Sequence, residues 1–190
     1  MLHGGFSMFS ISYAQMVIFI SILWLLIRGI CWIKAKKIEI RRELPLLLVY
    51  ICIIVVVRFT FCPFGKVDGK IQPLLFDSSK IFPLWINFKP LIYLFDYPTL
   101  REALLNLIGN VTMFIPLGIV WPAVFKSLNT HKKVIMAGLG VSLCIEILQL
   151  PFYGRSSDID DLILNSAGYI IGYSIFLLVR HLRSRKYAPK

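Results

Sequence analysis

Five apolar runs separated by short basic clusters constrain this chain more than any other feature, because a stretch of ~20 apolar residues is stable only where lipid replaces water. They lie at about 12–33, 44–61, 104–125, 134–150 and 162–179. In the first, Met16 to Ile27 is almost unbroken. At ~1.5 Å of rise per residue, a run of this kind as a helix crosses a ~30 Å hydrocarbon core. The expected architecture is all-α: a polytopic membrane helix bundle with about five crossings, forming one integral membrane domain over residues 1–190.

Composition agrees. Of the 190 residues 57% are hydrophobic, and the mean hydropathy is +0.75, against roughly 45–50% apolar residues in a soluble domain. The net charge of +11 follows the loops and does not reproduce the interleaved basic and aromatic residues of a nucleic-acid groove, so no nucleic-acid partner is expected. Cys31, Cys52, Cys62 and Cys144 and the scattered His3, His131 and His181 match no disulfide framework or metal spacing.

No Lys or Arg precedes the first run, and no small-residue cleavage site closes it, so it reads as a retained span and not as a cleaved signal peptide. Three basic clusters fall on one side: Lys34, Lys36, Lys37, Arg41 and Arg42; Lys126, Lys132 and Lys133; and Arg180, Arg183, Arg185, Lys186 and Lys190. The opposite loops thin their cations over a longer stretch and balance them with aspartates. Positive-inside then places the N-terminus outside and the C-terminus in the cytoplasm. Between Cys62 and Leu100, Pro63, Pro73, Pro83, Pro90 and Pro98 forbid a long straight helix. The pieces Leu84 to Phe88 and Leu91 to Phe95 are too short to span and are expected on the outer leaflet, anchored by Trp85, Tyr93 and Tyr97.

Chemistry concentrates between Glu146 and Gly172. Glu146 and Gln149 share a helix face that Ser142 and Gly138 continue in steps of four. The small residues read first as packing positions, whereas a carboxylate near the end of a span needs a cation, a proton or water. Arg155, Asp158, Asp160 and Asp161 follow in a short loop between Pro151 and the next span. Asp158 or Asp160 suits the N-cap, and Asp161 the first turn, of that helix. Asp161, Asn165, Gly168 and Gly172 then fall along one face, so Glu146, Gln149, Arg155, Asp158, Asp160, Asp161 and Asn165 are expected to form one outward-facing polar site. Gly168, Gly172, Asn106 and Asn110 are expected to pack and bond neighbouring helices, and Pro116 to kink the third span. Clustered oxygens beside an arginine suit a hard cation, a charged head group or acid/base chemistry. No EF-hand, P-loop or nucleophile set is present, so neither a catalytic residue nor a cofactor is assigned, and no metal.

The order of these signals resembles the VanZ-like family of bacterial membrane proteins: FTFCPF at Phe59 to Phe64, INFKP at Ile86 to Pro90, NLIGNVTMFIPLG at Asn106 to Gly118, E-x-x-Q at Glu146 and Gln149, and R-x-x-D-x-D-D-x-x-x-N-x-x-G-x-x-x-G from Arg155 to Gly172. The likeness covers residues 45 to 175. It departs at Lys89, where a leucine-rich INLIPF form is usual. The resemblance implies an accessory role in glycopeptide resistance, chiefly to teicoplanin, with membrane lipids and a glycopeptide or cell-wall precursor as partners. The alternative from the residues is a membrane enzyme acting on a lipid or lipid-linked head group.

Overall fold

A computed structural model describes residues 9–62, 66–67, 70–81, 86–87, 99–153, 155 and 157–186. The elements, in order, are β1 (Phe9–Ile11), α1 (Tyr13–Ala35), α2 (Ile40–Phe61), β2 (Lys66–Val67), β3 (Lys70–Ile71), β4 (Leu74–Phe76), a 3-10 turn (Ser78–Ile81), β5 (Ile86–Asn87), α3 (Leu100–Val124), α4 (His131–Gln149), β6 (Ser157–Asp158) and α5 (Ile159–Lys186). They divide into two compact units, Met1–Phe88 with Ile145–Asp158, and Lys89–Cys144 with Ile159–Lys190. Of the Trp85, Tyr93 and Tyr97 loop, only residues 86–87 are described.

α1, α2, α3 and α5 are long and apolar enough to cross a membrane, which makes the chain a multi-pass membrane protein built as an all-α bundle. α4 does not join them by that measure, because Lys132, Lys133 and Glu146 interrupt a helix of 19 residues. Each of the other four extends beyond its apolar run at one or both ends, most of all α5. Helical hydrogen bonding continues through polar residues once a helix has left the hydrocarbon.

In the first unit, α1 opens with a capping box: the Gln15 amide donates to Ser12 Oγ at 3.3 Å, and the Ser12 amide donates to Gln15 Oε1 at 2.8 Å. Apolar residues then cover its whole circumference. Ile18, Phe19, Leu23, Leu26 and Ile30 are all exposed, and Arg28 is its one buried residue, the surface of a helix solvated by lipid. Lys36, at φ 53, ends the helix in the left-handed conformation and turns the chain into α2. Arg28 donates to both carboxylate oxygens of Glu43, from Nε at 2.9 Å and from Nη2. This ion pair ties α1 to α2.

Three small sheets occupy the opposite end of that hairpin. β1 pairs antiparallel with β4, β2 antiparallel with β3, and β5 parallel with β6, Asn87 opposite Asp158. The chain after α4 joins the first of them: the Asp77 amide donates to the Pro151 carbonyl and the Tyr153 amide to that of Leu75, both at 2.8 Å.

In the second unit α3 packs along α5. Thr99 caps α3, accepting from the Glu102 amide at 3.2 Å, and the helix runs unbroken through Pro116 and Pro122. A Cβ on Gly168 would fall inside contact distance of the Val111 carbonyl, one on Gly172 inside that of Ile115, and one on Gly118 inside that of Tyr169. The two helices therefore meet backbone to backbone, as small residues allow in lipid.

Candidate functional site

Glu146, Gln149, Arg155 and Asp158 belong to the first unit, and Asp160, Asp161, Asn165, Asn106 and Asn110 to the second. Each group is organised by its own hydrogen bonds.

At the C-terminal end of α4, Glu146 is 3% exposed, and its carboxylate accepts the backbone amide of Asp158 at 2.9 Å. The Asp158 carboxylate in turn accepts from Asn87 Nδ2 at 3.1 Å. Glu146 thus holds the backbone of Asp158, and an amide of the INFKP motif holds the Asp158 side chain. Burying an ionised carboxylate is costly unless donors face it, and these N–H groups supply that compensation. Three positions on, Gln149 donates from Nε2 to the Thr60 carbonyl at 2.8 Å, fastening the end of α4 to the end of α2. Because Thr60 lies in the last turn of α2, its carbonyl has no partner within the helix. The buried glutamine amide satisfies it. The Arg155 amide closes the turn on the Phe152 carbonyl at 3.2 Å.

In the second unit Asp160 and Asp161 stand in the first turn of α5, where the helix dipole favours carboxylates. Asn110 Nδ2 on α3 donates to Asp161 Oδ1 and, at 3.3 Å, to Asn106 Oδ1. One turn deeper Asn165, 1% exposed, donates to Ser142 Oγ on α4 at 3.1 Å. Tyr169, another turn on, lays its ring where a Cβ on Gly138 would stand. Polar side chains therefore descend one face of α5 in steps of four, each turned to a neighbouring helix and not to lipid. Among the described residues, no group of three or more His, Cys, Asp or Glu side chains gathers to hold a metal.

Sequence reasoning overlooked Asn87 and the Arg28–Glu43 pair. The first stands 71 residues from its partner, and a single amide in a proline-rich loop carries no periodic signal. The second was visible as two opposite charges near the facing ends of consecutive spans, since such charges are expensive unless paired.

Two comparisons bear on these residues. Protein VanZ of Enterococcus faecium is 33% identical over 82 residues, which is 43% of this chain. The aligned part is 50% of that relative, so the chain spans about half the length of the curated relative it matches. No solved structure matches. The VanZ/LLP1 family model matches residues 47–180, a stretch that takes in α3, α4, both polar clusters and the glycine-lined face of α5. The chain is a membrane protein of the VanZ/LLP1 family.

Proposed function

We propose that this protein is an accessory factor of the bacterial cell envelope that raises tolerance to glycopeptide antibiotics, chiefly teicoplanin, without covalent chemistry of its own. One observation carries the non-enzymatic reading. The polar side chains at the end of α4 are engaged with backbone groups, Glu146 with the Asp158 amide and Gln149 with the Thr60 carbonyl, which is the work of architecture. Family membership and the likeness to Protein VanZ support the resistance context.

Expression in a sensitive Gram-positive host is expected to raise tolerance to teicoplanin more than to vancomycin; equal susceptibility, with the protein present in the membrane, overturns the reading. In the same assay Glu146→Gln keeps an acceptor for the Asp158 amide and should retain the phenotype. Glu146→Ala strands that amide at a cost of ~1–3 kcal/mol, and both membrane level and phenotype should fall.

The second reading is an enzyme that acts on a lipid or lipid-linked head group at the outer leaflet. What favours it is a buried glutamate bonded to the backbone of an aspartate whose own carboxylate is held by Asn87, two carboxyl groups of the kind that acid/base chemistry uses. Here Glu146→Gln or Asp161→Asn abolishes the phenotype while the membrane level stays unchanged.

The proposed orientation, N-terminus outside and C-terminus in the cytoplasm, requires α4 to cross. Its 19 residues, at ~1.5 Å each, reach ~28 Å, close to a ~30 Å core. Reporters fused at the C-terminus should be active only on the cytoplasmic side. Activity outside reverses the orientation or removes one crossing.

A further inference from the structure

We infer that the first unit binds an anionic phospholipid, its acyl chain in an apolar groove beside α1 and its phosphate on Arg58 at the groove's mouth. The groove measures ≈ 600 Å³, and its wall includes Phe19 and Ile20 of α1, Val57 and Phe61 of α2, Leu148 of α4 and Phe152. That volume falls within the ~300–1,000 Å³ of small-molecule sites. Its lining is almost wholly apolar, with Ser10 and Gln15 as the polar exceptions, and both stand at the N-terminal end of α1, toward one membrane surface. From Gln15 to Ile20 the groove descends five residues, ~7 Å along the helix.

A cation marks the same end. The Arg58 guanidinium lies 5.6 Å from the centroid of the Tyr13 ring, two residues from Gln15, and donates from Nη1 to the Cys62 carbonyl at 3.1 Å. The backbone amide of Arg155 donates to the carbonyl of the groove residue Phe152.

An apolar tail gains nothing by leaving bilayer for groove, since lipid is as apolar as leucine. Selection therefore rests on the head group. Guanidinium prefers phosphate through charge-assisted, bidentate hydrogen bonds. The site does not depend on the resistance reading, because its residues are separate from the Glu146–Asp158 pair.

The test uses the full chain in nanodiscs of equimolar phosphatidylglycerol and phosphatidylcholine, with retained lipid counted by native mass spectrometry. A chain of net charge +11 draws anionic lipid everywhere, so location is read from variants. Arg58→Gln should lower the phosphatidylglycerol-to-phosphatidylcholine ratio about tenfold, the scale of a hydrogen bond to a charged group, whereas Lys132→Gln should leave it unchanged. Ile20→Trp fills the groove and keeps Arg58, and it too should release the lipid. Equal ratios for Arg58→Gln and Lys132→Gln, or full retention by Ile20→Trp, overturn the proposal. Should Arg58→Gln fail to fold, Ile20→Trp decides alone. A wild-type chain that retains no phosphatidylglycerol because a second copy covers this face also overturns it.

Discussion

Gly168→Leu is expected to leave almost no folded protein in the membrane. The side chain would have to begin inside the Val111 carbonyl of α3, and a backbone atom cannot rotate away as the tip of a flexible residue can. Ordinary overpacking costs ~1–3 kcal/mol because neighbouring side chains absorb the added volume. Here α3 and α5 must separate as units, and the contacts at Gly172 and Gly118 are lost with the one at Gly168. Lipid offers no hydrophobic drive to bring the helices back together. Gly140→Ala is the matched control. A Cβ there meets nothing within 4 Å among the described residues, and replacing a mid-helix glycine by alanine favours the helix by ~0.5–1 kcal/mol. Membrane level and resistance to detergent unfolding should therefore collapse for Gly168→Leu and hold or rise for Gly140→Ala. Equal stability of the two variants refutes the close approach of α3 and α5.

Arg28→Met should destabilise the first unit by ~3 kcal/mol, toward the lower end of what a broken buried ion pair costs. Side-chain exposures of 10% for Arg28 and 21% for Glu43 leave some screening, so the full penalty is not expected. The loss arises less from the missing attraction than from the Glu43 carboxylate stranded where α1 shields it from water. Arg28→Met with Glu43→Met removes both charges and should regain most of the stability, because apolar residues of similar volume often replace such pairs without cost. A double-mutant cycle on unfolding separates the cases. Additive losses show that Arg28 and Glu43 act independently and exclude the pair as the tie between α1 and α2.

The apolar runs made α1, α2, α3 and α5 legible, since burial in lipid demands a long unbroken stretch and little else produces one. Their ends were not legible. α5 starts at Ile159, ahead of two aspartates, and continues through Arg180, Arg183 and Arg185, because capping and backbone hydrogen bonding set a helix end, whereas hydropathy marks where the lipid stops. α4 shows the opposite problem: an apolar middle flanked by Lys132, Lys133 and Glu146 makes a helix whose composition alone does not assign it a crossing. The polar candidates were found by spacing, as for Asp161 and Asn165 on one face. Spacing cannot name partners on other segments. That Gln149 meets the Thr60 carbonyl, 89 residues away, or that Asn87 reaches Asp158, follows only from how the chain returns to itself. The expected single site draws its residues from both compact units.

The length of α5 has a mechanical consequence. Its 28 residues extend ~42 Å, about 12 Å more than the hydrocarbon needs, and the excess carries Arg180, Arg183, Arg185 and Lys186. A continuous helix is stiff along its axis, so the Asp160–Asp161 end and the basic end can shift along the membrane normal only together. The helix is therefore fastened along its axis at both ends, by the Asn110–Asp161 hydrogen bond at one and by basic residues suited to head groups at the other.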